Sequence, residues 1–554
     1  MRIFLAMTFF GIATSSSAVG SEWTCPQVPP IAFKDQDKPN VDGAVTFING
    51  EVKSWEGETI EITSPIVDPE SGKRTVIGRL SVLEEDDAVE VVKTASAAWD
   101  AGQGAWPQMP VRERIAAMEA VLEELTRIRE DIVQVLMWEI CKNTGDAYKE
   151  FDRTMDYARA SIAALKESIK TDDAWKTVSG VRARIRRGPV GVNLMLAPFN
   201  YPLNEMYAML IPSLLMGNVV VLKLPAVGGL VHILTMNAFA KHLPRGSINF
   251  VSGSGRVTCG AIMRTGLVDM LGFIGGSNAA DKLIGAHPHV HRLKIFSQLE
   301  GKNLGIVLPD ADLDVAAKQC TLGATSYNGQ RCTAIKLIMV HDSVKDRFMA
   351  KLHDNIVALK VGMPWEENVA ITPLPEPKKP AYLEALIADA VEQGASVVNS
   401  DHSGGQISGG SLFTPALVYP VTPSMRLFNE EQFGPVIPVA TFTDTTQVYD
   451  VLRDSWNGQQ AAIFTSDPTG LVAAPLVDLL STIVGRVNLN VQCGRSPDVL
   501  PFSGRRSSAM GTMSVSEALR GFSIETVVAF AASSETSAAV AGGLDKASNF
   551  LAAL

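Results

Sequence analysis

Apolar residues recur along this chain with two different periods, and the change of period divides it. Between residues 43 and 85 the pattern is short and punctuated. Val45 to Ile48 runs into Asn49-Gly50, a dipeptide suited to a tight hairpin turn, so short strands are expected there. The spacing then becomes helical. Ala88, Val91, Val92, Ala95 and Trp99 share one helical face, and the acidic run Glu84 to Asp87 stands where a helix N-terminus favours negative charge. Ile115, Met118, Leu122, Leu125, Ile128 and Ile132 make a second, longer stripe. Both read as core faces.

From about residue 185 strands alternate with helical patterns, the signature of a parallel sheet covered on both faces. Gly191 to Leu196 and Val219 to Leu222 are apolar strands. Ile248 to Val251 leads into Ser252-Gly253-Ser254-Gly255, and Met270 to Ile274 leads into Gly275-Gly276-Ser277. Two glycine-bearing turns, each after a strand and opening a helix, are what a dinucleotide needs, although either alone is an ordinary tight turn. A second αβ series has candidate strands at Ile306 to Leu308, Leu337 to Val340, Ser396 to Val398, Val436 to Ala440, Ala461 to Phe464 and Ile483 to Leu489. Pro373 to Pro380 reads as a loop. Ala531 to Leu554 is Ala/Ser-rich with little periodicity and reads as a mobile tail or a frayed helix. No internal repeat is present.

Composition narrows the partners. The 554 residues are 46% hydrophobic and 19% charged, an ordinary globular balance long enough for two or three domains. A formal charge of -10 without a dense basic cluster argues against nucleic acid, and the short apolar runs argue against a membrane span. Six cysteines are scattered without CxxC pairs or nearby histidines, which excludes a zinc site and a disulfide framework. At the N-terminus, Arg2, the apolar run Ile3 to Ala13, a serine cluster and Ala18-Val19-Gly20 have the shape of a cleavable leader over residues 1–20. With cleavage near Gly20 the destination is organellar, secretory-derived or plastid-type; an uncleaved extension leaves the protein cytoplasmic.

One cysteine stands out. Cys332, within Ser326 to Lys336, follows a Gly-bearing turn and adjoins Arg331, a cation expected to favour the thiolate. From these residues alone it is either a working nucleophile or a buried space-filler.

The motifs decide between them. Ala197-Pro198-Phe199-Asn200-Tyr201-Pro202, Gly217 to Lys223, Phe273-Ile274-Gly275-Gly276, Asn328-Gly329-Gln330-Arg331-Cys332-Thr333 and Glu430-Glu431-Gln432-Phe433-Gly434-Pro435 together resemble the aldehyde dehydrogenase superfamily over roughly residues 40 to 530. The resemblance implies an α/β fold with a Rossmann-type cofactor domain (40–166 and 190–298), an α/β catalytic domain (299–507), an oligomerisation element (167–189 and 508–530), a tail (531–554) and assembly as a homodimer or homotetramer. It makes Cys332 the nucleophile and Asn200 the side-chain donor to the oxyanion, a role whose loss typically costs about 10²-fold or more in rate. It places the cofactor on Phe199, Lys223, Pro225, Ala226, Gly255, Gly275, Gly276, Ser277, Glu431 and Phe433.

Within the superfamily the likeness is closer to the non-phosphorylating glyceraldehyde-3-phosphate dehydrogenases. That group grips the substrate phosphate with arginines and a tyrosine, matched here by Arg153, Tyr201, Arg331 and Arg495, with Thr333 beside them. Forked guanidiniums and a phenol suit a dianion. NADP is favoured over NAD, because Ala226 removes the carboxylate that would repel a 2'-phosphate and Lys223 supplies positive charge. No metal is implied. The chain departs from the pattern at the general base, where Gln298-Leu299-Glu300-Gly301-Lys302 replaces Glu-Leu-Gly-Gly-Lys. A glutamine orients water but cannot take its proton. Three readings follow: Glu300 supplies the carboxylate if 298 and 300 share one side of an extended segment; another acceptor such as a thiol resolves the thioester; or the protein binds without efficient turnover.

Overall fold

Strands β1 (Val192–Leu196), β2 (Val219–Lys223), β3 (Ile248–Val251), β4 (Met270–Ile274) and β5 (Lys294–Gln298) pair in parallel in the order β3-β2-β1-β4-β5, with Ala509–Met510 added antiparallel beside β5. These belong to a computed structural model that describes residues 38–551 apart from 69–70 and 172–173; the expected leader at 1–20 lies outside the described residues. Strands β1 to β4 are buried along almost their whole length, as both-face coverage by helices requires. The chain runs outward from β1 to β3 and then returns to place β4 on the other side of β1. The crevice beyond the C-terminal ends of β1 and β4 is therefore the switch point of the sheet, where open α/β sheets receive ligands.

Only Leu299 to Lys302 separates β5 from the second sheet. Its strands β6 (Asn303–Val307), β7 (Ile335–His341), β8 (Ala416–Tyr419), β9 (Val436–Phe442), β10 (Gln460–Phe464) and β11 (Arg486–Leu489) run parallel in the order β8-β9-β7-β6-β10-β11, with Ser396–Val397 antiparallel at the β8 edge. A third, antiparallel sheet joins Lys176–Val178, Val181–Pro189 and Ser523–Ala531, from the segments expected to form the oligomerisation element. Among the described residues no helix is long and apolar enough to cross a membrane.

The periodicity misplaces three features. The long stripe from Ile115 to Ile132 is broken at Ile128, whose φ of -102° and ψ of 20° separate helix Val111–Arg127 from helix Arg129–Glu139. The loop expected at Pro373 to Pro380 is shorter, since helix Lys379–Glu392 takes Pro380 into its first turn, where a missing N–H costs nothing. Of the two readings of the C-terminal segment, its described residues take the helix and not the mobile tail. Helix Glu535–Ala547 is capped by Ser534, Asp545 accepts from Arg184 Nη1 at 2.7 Å and Trp175 Nε1 at 3.1 Å, and Leu551 is buried.

Helices α1 (Thr144–Thr171) and α2 (Pro202–Leu215) are tied by a buried ion pair. Glu150 on α1 accepts from the Lys142 ammonium, and its other oxygen takes the backbone N–H groups of Leu203 and Asn204, both at 3.1 Å. Those donors belong to the first turn of α2, which has no partner for them within the helix. Lys142 Nζ also lies 3.3 Å from the Tyr201 ring centroid and 4.8 Å from that of Tyr327. Glu150→Gln strands the ammonium without its counter-charge, so urea unfolding should show stability lower by about 3–5 kcal/mol. An unchanged midpoint would show that the pair contributes nothing.

Candidate active site

After helix Leu313–Thr325 the chain makes a turn in which Tyr327, Asn328 and Gly329 all adopt left-handed backbone angles, with φ of 48°, 57° and 68°. Only the last is free of side-chain strain, and a Cβ at Gly329 would fall 2.5 Å from the Ala324 carbonyl and 2.7 Å from that of Gly434. Distant groups hold the other two. The Tyr327 hydroxyl donates to the Ile140 carbonyl at 2.9 Å, and the Asn328 amide exchanges hydrogen bonds with Thr372 at 2.9 and 3.1 Å. The turn delivers Cys332, whose carbonyl accepts from Asn303 Nδ2 at 2.7 Å and Lys336 Nζ at 3.2 Å. Its backbone is therefore fixed.

Cys332 opens on a cavity of about 790 Å³ beyond the ends of β1, β4 and β5. Asn200, Gln298, Glu300, Phe199, Gly275, Gly276, Glu431 and Phe433 line it, and so do Arg153, Tyr201, Arg331, Thr333 and Arg495. Lys223, Pro225, Ala226 and Gly255 are not among its lining residues; they lie at or just beyond the C-terminal ends of β2 and β3. The Lys223 ammonium is buried against the Leu224 carbonyl, and burial lowers its pKa. Asn200 Nδ2 donates to the Gln330 carbonyl at 2.8 Å, which orients the amide and leaves its second N–H for another acceptor. Phe199 and Phe433 meet edge to face at 5.9 Å between ring centres.

The expectation that Arg331 prepares the thiolate is corrected. Although part of its surface reaches the cavity, burial pushes the Cys332 thiol above its ordinary pKa, and the Glu205 carboxylate adds to the rise. The opposing cation is Lys336, whose ammonium also bonds Glu431 and the Gly301 carbonyl. Arg331 instead turns Nη2 towards the Gly323 carbonyl at 3.0 Å and Gln492 Oε1 at 3.2 Å.

The expected phosphate-binding arginines converge, but they arrive with carboxylates. Asp498 accepts both Arg153 Nε at 2.8 Å and Arg153 Nη2 at 2.6 Å, and lies 3.1 Å from Arg495 Nε. Arg495 Nη1 donates to Glu205 Oε2 at 2.8 Å. Arg495 Nη2 and Arg331 Nε remain buried without a hydrogen-bond partner.

At the base position Gln298 and Glu300 both line the cavity, but the Glu300 carboxylate is already engaged. Strand β5 ends at Gln298, and Glu300 lies in the connection beyond it. The Glu300 carboxylate is committed to Ser277, accepting its N–H at 2.8 Å and its hydroxyl at 2.5 Å. Gln298 donates weakly to the Gly511 carbonyl at 3.3 Å, while its Oε1 is buried and unpartnered.

Residues 55–528 match the model of the aldehyde dehydrogenase family. The chain belongs to that family. It is similar to the NADP-dependent glyceraldehyde-3-phosphate dehydrogenase of Streptococcus equinus, 34% identical over 478 residues that cover 85% of this chain and 94% of that one. Among solved structures it resembles the NADP-dependent glyceraldehyde-3-phosphate dehydrogenase of Bacillus halodurans C-125 complexed with NADP, with 33% identity, a TM-score of 0.79, and 89% of this chain and 100% of that one covered. A glyceraldehyde-3-phosphate dehydrogenase of Methanocaldococcus jannaschii DSM 2661, also complexed with NADP, gives 25% identity and a TM-score of 0.76 over 85% and 99% of the two chains.

The family's dinucleotide is tested by the helix ends at the switch point. Helix α3 (Gly255–Arg264) begins with no side-chain cap, leaving N–H groups for a phosphate. Helix α4 (Ser277–Ala286) instead meets the Glu300 carboxylate. The residues fit the group, with that one place already held by an internal anion.

Sequence reasoning passed over Glu205, Lys336 and the Glu150–Lys142 pair. Helical spacing was the signal for the first, since Glu205 lies four residues after Tyr201 on the helix that Pro202 opens. Glu205→Gln removes the carboxylate that opposes ionisation and frees Arg495, so the Cys332 thiol pKa should fall. Alkylation by iodoacetamide across pH 6–9 should shift to lower pH and quicken several-fold at pH 7. A shift to higher pH would contradict the assigned electrostatics.

Proposed function

We propose that this aldehyde dehydrogenase oxidises D-glyceraldehyde 3-phosphate to 3-phosphoglycerate with NADP, without consuming inorganic phosphate. The observation that carries the substrate is the pair of buried, unpartnered donors, Arg495 Nη2 and Arg331 Nε, in two of the residues that line the cavity holding Cys332. Buried N–H groups without partners are uncommon and are met by an anion that brings several acceptor oxygens. The named activity of the similar proteins supports the same reading. For the cofactor, the support is the NADP complexes of two relatives and the exposed, uncharged Ala226 beyond β2.

Cys332 attacks the aldehyde carbon to form a thiohemiacetal, and the oxyanion is met by the Asn200 amide and the Cys332 N–H. A bound nicotinamide supplies the hydride acceptor. Glu431 and Phe433 then bound the cavity beside the resulting thioester, which water hydrolyses. Gln298 Oε1 accepts one hydrogen of that water without removing it, and Glu300 is turned to Ser277. Deacylation is therefore the slow half of the cycle. The exposed Val178, Val181, Ile185, Ile524 and Val527 of the small sheet support assembly as a homodimer or homotetramer.

Arg495→Ala should raise KM for glyceraldehyde 3-phosphate about 10- to 100-fold while sparing turnover of glyceraldehyde. Equal efficiency of the wild type on the two aldehydes would sink the phosphate reading. In stopped-flow assays the wild type should release one NADPH per site in a burst and then settle to a slower steady rate, and Gln298→Glu should speed only the second phase. A burst followed by silence identifies a protein that no longer completes its cycle. Absence of any burst contradicts slow deacylation.

A further inference from the structure

Glu300 is the feature that neither the family's chemistry nor the proposed cycle employs. It stands at the switch point, where the chain reverses direction between β1 and β4 and where a dinucleotide's diphosphate meets glycine turns and helix ends. Gly276, the residue before α4, has no side chain with which to cap the helix. Glu300 does so from 23 residues away, taking both donors of Ser277, the first residue of α4. The carboxylate is only partly buried and lines the catalytic cavity together with Gly276. Beside it Gln298, 1% exposed, lines the same cavity and donates to the Gly511 carbonyl at 3.3 Å, which leaves Ser277 as the group that holds the Glu300 carboxylate. The Glu300 backbone is tethered separately, through its carbonyl to Ser508 Oγ at 2.8 Å, and the side chain can leave without dragging the connection.

We propose that Glu300 is a displaceable internal anion, occupying at the N-terminus of α4 the position of the cofactor's diphosphate, so that dinucleotide entry must expel it. The proposal rests on the reading that this chain binds NAD(P). Two anions do not share one set of helix-end donors: the incoming diphosphate meets like charge and must break two hydrogen bonds that the free protein has already made. Glu300 therefore lowers cofactor affinity selectively, through the diphosphate and not through the adenosine, and the cofactor-free protein keeps its helix end satisfied. Glu300 acts here as a positioning residue with an affinity readout that is independent of turnover.

Isothermal titration calorimetry on the cofactor-free protein tests this with NADP, NAD and adenosine 2'-phosphate, which lacks a diphosphate. Glu300→Ala and the milder Glu300→Gln should each tighten NADP binding, about fivefold to thirtyfold for the alanine variant. Adenosine 2'-phosphate should bind wild type and variants alike. Thermal unfolding of each variant establishes that it is folded, and if the alanine variant is not, the glutamine variant decides. Unchanged or weaker NADP binding overturns the proposal, as does an equal gain for adenosine 2'-phosphate. If the variants gain equally for NAD while NADP has no advantage over NAD, the displaced-anion proposal stands and the NADP preference fails. If neither dinucleotide binds wild type or variants, both fail.

Discussion

A buried carboxylate that accepts three hydrogen bonds ties together the supports of Cys332 and Asn200. Glu150 neutralises Lys142 and satisfies the opening N–H groups of α2, the helix that immediately follows Asn200 and Tyr201. Lys142 in turn lies against the rings of Tyr201 and of Tyr327, which belongs to the turn before Cys332. Cys332 and Asn200 come from segments separated by more than a hundred residues, and this ion pair is where their supports meet. A charge so deeply placed is tolerated because both of its oxygens are met by donors, one of them a cation. Glu139 repeats the device nearby, taking the N–H groups of Gly228, Gly229 and Leu230.

The arginine-bearing end of the cavity, where the substrate is proposed to sit, follows a different electrostatic plan. Asp498 and Glu205 meet the guanidiniums of Arg153 and Arg495, so the arginines are held in place before any substrate arrives. A row of uncompensated cations would repel one another and bind anions indiscriminately. Here the carboxylates orient the forks and leave selected N–H groups unpaired, which turns net charge into directional recognition. The cost appears at Cys332, where the nearby Glu205 disfavours the ionised thiol and Lys336 has to act against it.

Much of this was legible in the chain. Strands Ile248–Val251 and Met270–Ile274 have the expected bounds because each is a mostly apolar run closed by a glycine-bearing turn. The residues expected to surround Cys332 line one cavity, since motif identity carries spatial placement with it. What escaped depends on three-dimensional pairing. Ile128 continues the apolar stripe although the backbone breaks there, and periodicity reports faces and not dihedrals. The C-terminal helix looked featureless because its anchor, Asp545, finds Arg184 and Trp175 some 360 to 370 residues away. Arg331 adjoins Cys332 in sequence, yet its side chain turns aside; adjacency along the chain does not fix where charge acts. Glu300 sits two positions from the expected base, yet its carboxylate is held by Ser277 at the start of α4, a pairing across 23 residues that spacing does not report.

The left-handed turn at Tyr327 to Gly329 has a further consequence. Two side-chain-bearing residues in that backbone region are unfavourable by themselves, and the groups that hold them there, the Ile140 carbonyl and Thr372, come from opposite sides in sequence. No fragment ending before Thr372 contains all the restraints. During synthesis the backbone that carries Cys332 is therefore fully restrained only when the later chain, with Thr372, has docked. The placement of this cysteine is a property of the completed fold, because the turn before it is held from both earlier and later segments of the chain.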